Sequence, residues 1–456
     1  MPSLMESIPL FQVTEGWEQT MGAGPLLGIA LAAIAFILVA IIMFRLHAFL
    51  TLILVSILTA LATGVPITEI VNTLVGGFGS TLGSVALLVG LGAMLGKLVE
   101  ASGGAKVLAD AMINRFGEHR APLALGIASL IMGFPIFFDA GLVVMLPIVF
   151  AVARRLGGNV IYYGIPTAAA FSVMHVFVPP HPGPVGASSL LGANMGLVMA
   201  LGIVVALPTF YVTGLLWGKY IAKRVNVKMP DLFGSIPDDQ LAKNPPSVGT
   251  VISLMLLPVV LIFFNTGLTM AAEAGKVDGE NSFVQFLIML GNTPIALLIS
   301  VLVAMIVLGK KVAEDKDTLE KVVDSALGPI SSVVLITGAG GMFGGVLRAS
   351  GIGDALSGVM NDMGIPIILA AYLIAVALRL AQGSATVALL TAAALVAPSV
   401  EQAVAAGDMG ALGVACIVLA ASAGSVFASH VNDSGFWLVG RLMGMDVKAT
   451  LKVWRS

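Results

Sequence analysis

The chain has 456 residues, of which 58% are hydrophobic and only 11% charged, with a formal net charge of −2 and a mean hydropathy of +1.02. Soluble domains carry about 25% charged residues and must cover their surface with polar groups, so this composition excludes a soluble enzyme. The absence of a basic face argues against nucleic acid as a partner, and a lone cysteine, Cys416, excludes an internal disulfide framework and thiolate metal clusters. What remains is a polytopic helical membrane protein embedded in a lipid bilayer, with room for roughly ten or more spans of about 20 residues.

The first segment, 1–22, is acidic (Glu6, Glu15, Glu18) and contains no Lys or Arg. Apolar runs at 26–44 and 48–62 follow, within a scaffold region 23–66. A third run, 82–99, belongs to a first repeat spanning 67–218. Basic residues then sort the connections. Arg115 with Arg120, Arg154 with Arg155, the loop 219–247 opened by Lys219, Lys223, Arg224 and Lys228, and the group Lys310, Lys311, Lys316 and Lys321 are all predicted to be cytoplasmic. The acidic connection 273–282, between scaffold runs 248–264 and 283–308, is predicted to be external. A second repeat takes up 310–456 and ends in Lys448, Lys452 and Arg455. This pattern places the N-terminus outside and the C-terminus in the cytoplasm.

Two stretches, 122–154 and 366–398, are too long for one crossing and too short for two. The first is broken at Gly133-Phe134-Pro135 and the second at Gln382-Gly383-Ser384. Each reads as a re-entrant helical hairpin with its tip near the membrane middle, where broken backbone is tolerated only inside protein or beside a water-filled cavity. Each follows one copy of a fourteen-residue motif. GLGAMLGKLVEASG (90–103) overlays GAGGMFGGVLRASG (338–351) without a gap, and seven positions are identical. By the charge pattern the two copies run in opposite directions. An inverted repeat with interrupted helices is a transporter signature, with substrate and coupling ion held where the repeats meet. The predicted fold is therefore all-α, two inverted halves, each with a re-entrant hairpin and an interrupted helix.

Few residues can carry chemistry at that depth. Asp139 follows the first hairpin tip; a carboxylate there costs about 2.5–3.5 kcal/mol and marks a functional position by default. Burial among Phe134, Phe137 and Phe138 would suit it as a proton carrier, and a hydrogen bond to the broken backbone is the structural alternative. Arg379, just before the second tip, can grip a carboxylate through two parallel hydrogen bonds. Gly383 permits a sharp turn, and a helix starting near Ser384 and Thr386 would direct free amides to the same place. A salt bridge to Asp139 is the alternative role for Arg379. The proline-rich run HVFVPPHPGP (175–184) cannot continue a helix. It places His181 at one break, with His175, Pro180, Pro182 and Gly183 shaping the loop. The matching run SHVNDSGFW (429–437) supplies His430, Asn432 and Asp433 as partners for protons or hydroxyls. No metal-ligand spacing, Walker loop or complete dinucleotide fingerprint occurs, so neither a metal nor a cofactor is expected.

HVFVPPHPGP, GSATV at 383–387 with Arg379 before it, SHVNDSGFW, and GLGAMLG at 90–96 together resemble the gluconate permease (GntP-type) family, over a stretch from about residue 26 to the C-terminus. The resemblance implies a bacterial inner-membrane symporter of gluconate or a related sugar acid, driven by protons. It further implies the fold of the wider ion-transporter superfamily, with hairpins in a moving, elevator-like transport domain and a scaffold that makes a homodimer. D-serine, another hexonate, sodium coupling and a channel are the competing readings. In the family pattern, Asp139, His181, His430, Asn432 and Asp433 fall on motif positions, with Asp139 and Asp433 as proton-coupling candidates.

Overall fold

A computed structural model of the chain describes residues 17, 19–227, 245–273, 275–313, 316–355, 358, 365–382, 384–430 and 433–454. Gly383 and Asn432, both named above as site residues, lie outside this set. Among the described residues the regular structure is helical throughout. Six helices are long and apolar enough to cross a membrane, alongside shorter apolar helices. Helix is the form in which a lipid-embedded chain satisfies its own backbone, segment by segment.

The chain forms two compact units. One comprises 1–86, 186–193 and 332–427. It contains α1 (Ala23–Ile42), α2 (Ala48–Ala62) and the first half of α3 (Ile67–Ala101). The sequence pattern anticipates only 82–99 of α3, because the glycine-rich stretch 76–83 reads as a poor helix former. In the structure one of them, Gly77, is a contact point. A Cβ on Gly77 would fall 3.0 Å from the Gly341 carbonyl carbon and 3.1 Å from the Met342 Cα. Close backbone approach of this kind is what small residues provide in membrane helices.

The other unit comprises 87–185, 194–331 and 428–456. Here lie the second half of α3, α4 (Gly104–Phe116), α5 (Ala121–Met132), α6 (Phe138–Leu156), α7 (Val160–Phe177) and the start of α8 (Pro182–Leu191). The run 195–222 is helical throughout as α9 (Met195–Phe210), a π turn (Tyr211–Leu216) and α10 (Trp217–Ala222). The scaffold region gives α11 (Val248–Glu273), α12 (Ser282–Gly291) and α13 (Thr293–Val312). The run 283–308, which reads as one span, is therefore two helices. Asn281 caps α12, while Asn292 and the proline that follows at the start of α13 force a restart. The amphipathic α14 (Lys316–Asp324) leads into α15 (Leu327–Ala349), most of which returns to the first unit.

The first unit is completed by α16 (Ile367–Gln382), α17 (Ala385–Ala405) and α18 (Ala411–Ser425), and the second by α19 (Ser434–Leu442) and α20 (Val447–Val453). Each unit thus holds one broken hairpin, and the same packing recurs in both: α5 lies along α7, and α16 lies along α18. At 12 residues, α5 rises about 18 Å, well short of a hydrocarbon core of about 30 Å. A short half-helix follows each polar loop, α8 after the first and α19 after the second.

Candidate functional site

In the second unit the break of the first hairpin occupies Gly133 to Phe137, between α5 and α6. It is gripped from two directions. A Cβ on Gly96 would lie 2.7 Å from the Pro135 carbonyl oxygen, and one on Gly92 would lie 3.0 Å from Pro180 Cγ. Gly96 and Gly92, two of the four glycines in this copy of the repeated motif, are where α3 touches the hairpin break and the proline-rich loop. That loop carries a cis peptide between Pro179 and Pro180. Pro182 starts α8, with Gly183 buried in its first turn.

His181, 2% exposed, crosses from the loop to the break: its Nε2 lies 2.6 Å from the Gly133 carbonyl oxygen. A carbonyl can only accept, so this nitrogen carries the hydrogen and donates. The His181 ring also sits 4.8 Å from that of His175 and 5.5 Å from that of Phe137, centroid to centroid. His175 completes the triangle at 5.9 Å from Phe137, and its buried Nδ1 has no hydrogen-bond partner among the described residues.

Asp139 corrects the sequence reading. It is not buried among the phenylalanines; it is exposed in the first turn of α6, while Phe134 and Phe138 point inward at 4% and 9% exposure. Successive helical residues differ by about 100° around the axis, so burying Phe138 turns its neighbour outward. The electrostatic neighbour of Asp139 is Asp433, a buried residue at the start of α19. Asp433 is the N-cap of that helix. Its Oδ1 accepts from the Gly435 amide at 2.9 Å and its Oδ2 from the Ser429 hydroxyl at 2.5 Å. His430 is half-buried beside them.

In the first unit, Arg379 ends α16 and is 4% exposed. Ser384 is the N-cap of α17, with its hydroxyl accepting from the Val387 amide at 3.3 Å, and Thr386 is half-buried in the first turn. The expected helix start beside the arginine is therefore present, but the serine hydroxyl is engaged as its cap. Arg348, the repeat counterpart of Glu100, pairs with Glu401 at 2.9 Å and reaches the Leu190 carbonyl at 3.3 Å. It serves as a tie between helices. No group of three or more potential metal ligands occurs among the described residues.

The sequence reading missed the Gly133 carbonyl as the target of His181 and missed Trp454, which stacks on Phe138. Neither is visible in local patterning; only the second has a signal at all, an aromatic residue in an otherwise basic C-terminal stretch.

A helical, multi-pass chain with paired broken hairpins and charged groups beside the breaks is a membrane transport protein. Residues 25–456 match the model of the GntP family permeases, and the chain belongs to that family. It is 40% identical over 438 residues to the gluconate permease of Bacillus licheniformis, covering 94% of this chain and 95% of that one. It is 37% identical to the gluconate permease of Pseudomonas aeruginosa, covering 94% and 93%. To the Gnt-II system L-idonate transporter of Escherichia coli it is 34% identical, covering 94% of each. Among solved structures, the fold is similar to that of Neisseria gonorrhoeae MtrF (TM-score 0.55, 16% identity, 85% and 82% covered). It is also similar to that of the Alcanivorax borkumensis YdaH transporter (TM-score 0.54, 15% identity, 85% and 86% covered). The protein is a permease and not an enzyme.

Proposed function

We propose that the protein is a proton-coupled symporter that takes up gluconate, or a closely related sugar acid, across the bacterial inner membrane by alternating access. The observation that carries the substrate reading is Arg379, a buried guanidinium at the end of one hairpin arm with a helix N-terminus opening at Ser384 just beyond it. Guanidinium and helix N-terminus are both anion-directed. In this reading Arg379 takes the substrate carboxylate, Gly383 gives the turn, and Ser384 and Thr386 line the tip. The relatives named for gluconate at 40% and 37% identity support the same substrate.

Asp139 is the coupling group in this reading. Both carboxylate oxygens of Asp433 receive hydrogen bonds, so its side chain is tied down by the start of its own helix. Asp139, exposed beside it, is the carboxylate free to take up and release a proton. A proton on Asp139 and a monoanion on Arg379 together add no net charge to the protein, which lowers the electrostatic cost of carrying the anion across the bilayer. His430 and Asn432 serve the substrate hydroxyls. His181, His175, Pro180, Pro182 and Gly183 hold the shape of the first break. The proposal includes a cytoplasmic C-terminus, an external N-terminus and a homodimer. On α11 and α13, Leu256, Val260, Leu302 and Ile306 are exposed.

The test is uptake of labelled D-gluconate into proteoliposomes with and without an imposed inward proton gradient. The expected result is accumulation that collapses with a protonophore and ignores sodium. Sodium-dependent accumulation would reassign the ion. A second reading, a different hexonate as the main substrate, is favoured by the 34% identity to an L-idonate transporter. Competition by L-idonate stronger than by gluconate itself would select it.

A further inference from the structure

The end of the chain folds back onto the first hairpin, within the second unit. After α19 the chain reverses, and Asp446 caps α20 by accepting from the Ala449 amide at 2.7 Å. The two helices run close because Gly440 faces Thr450; a Cβ there would be 2.6 Å from Thr450 Oγ1. At the end of α20, Val453 and its C-cap Trp454 are 1% and 8% exposed. The Val453 carbonyl accepts a hydrogen bond from Trp217 Nε1 at 2.9 Å, and the Trp454 ring stacks on Phe138 with centroids 5.8 Å apart and planes at 28°. Phe138 also meets the α19 backbone: a Cβ on Gly435 would lie 3.4 Å from Phe138 Cε1. Phe138 immediately precedes Asp139, and the Gly435 amide is the donor that holds Asp433.

One aromatic clamp therefore joins the two elements that carry the two carboxylates. We infer that Trp454 is a positioning residue for the Asp139–Asp433 pair, acting through Phe138 to hold the start of α6 against the start of α19. The inference rests on the reading of Asp139 as the coupling group. Stacked aromatic pairs favour one relative arrangement beyond what burial alone gives. The ionisable groups on the packed elements are few. Asp433 stands on the α19 loop with His430 beside it, and His175 and His181 are reached through Phe137. Arg441, Lys448 and Lys452 of α19 and α20 are exposed, as are Lys106, Asp110 and Arg115 of α4.

The experiment measures the initial rate of gluconate uptake against external pH in reconstituted full-length Trp454→Ala, Trp454→Phe and Asp139→Asn proteins. Without the clamp the starts of α6 and α19 relax apart, and the two carboxylates with them, so Trp454→Ala is expected to need a more acidic exterior, by about half a pH unit or more, while reaching a similar plateau. Trp454→Phe keeps a stacking ring and is expected to restore the profile. An unshifted profile with a uniformly lower rate, or a shift that phenylalanine fails to rescue, overturns the inference. If Trp454→Ala does not fold, Trp217→Phe decides. It removes the hydrogen bond to Val453 while keeping a ring to stack on Tyr220; it is expected to shift the profile the same way by less, and no shift overturns the inference. Asp139→Asn separates the two levels. Proton-driven accumulation by that variant would remove Asp139 as the coupling group, whereas loss of accumulation with no effect at Trp454 would remove the clamp alone.

Discussion

His181 Nε2 donates to the Gly133 carbonyl oxygen at 2.6 Å, pinning the proline-rich loop to the break of the first hairpin. A broken helix leaves carbonyls without intrahelical partners, and in a membrane no bulk water takes their place. His181 fills that need for Gly133, and the rings of His175 and Phe137 close around it.

Replacing His181 by Ala leaves the Gly133 carbonyl buried without its donor, at a cost of about 1–3 kcal/mol. The expected outcome is a lower thermal midpoint in detergent together with reduced uptake. His181→Gln can still present an N–H and is expected to recover part of the stability. A His181→Ala protein as stable as the wild type would show that this bond does not hold the break.

The repeated motif makes a second, steric prediction. A Cβ on Gly96 would stand 2.7 Å from the Pro135 carbonyl oxygen and 3.1 Å from Ile136 Cγ1, whereas one on Gly83 would meet nothing within 4 Å. Overpacking against backbone costs about 1–3 kcal/mol. Gly96→Ala is therefore expected to lower stability and uptake, and Gly83→Ala, on the same helix, to leave both intact. Equal behaviour of the two variants in a thermal-shift and uptake comparison would remove the close contact as the reason for glycine at 96.

What was legible in the sequence was chemistry that acts locally. Prolines and glycines at 133–135 and 179–184 announce breaks because they remove donors or permit turns, and the structure interrupts its helices at 133–137 and at 178–181, with Pro182 already opening α8. The all-helical membrane class followed from composition alone. What was not legible depends on distant partners. The start of α3 at Ile67 is hidden by a glycine-rich stretch in which Gly77 has a close contact, to the distant Gly341. The outward turn of Asp139 is decided by Phe138, which is drawn inward by Trp454, more than 300 positions along the chain.

Arg379 carries the sharpest test of the substrate site. A lysine keeps the charge but offers a point donor in place of a planar fork. In the buried setting of Arg379 the expected loss of gluconate affinity is at least about tenfold, or ~1.4 kcal/mol. Arg379→Ala is expected to abolish binding. Titration of detergent-solubilised protein with labelled gluconate reads both, and wild-type affinity in the lysine variant would move the carboxylate site elsewhere.

The two carboxylates near the first break are expected to behave differently although they are close. Asp433→Asn can keep both hydrogen bonds, since its carbonyl oxygen still accepts from the Gly435 amide and its NH2 can donate to the Ser429 oxygen. The change then removes a charge and little else, so the variant is expected to fold normally and to retain proton-driven uptake that requires a more acidic exterior. Asp139→Asn removes the group assigned to carry the proton. Exchange of gluconate between equal pools should survive, because Arg379 is untouched, while accumulation against a gradient should be lost. Counterflow and gradient-driven uptake, measured side by side on the same proteoliposomes, separate these outcomes. If Asp433→Asn loses accumulation and Asp139→Asn keeps it, the roles of the two carboxylates are reversed.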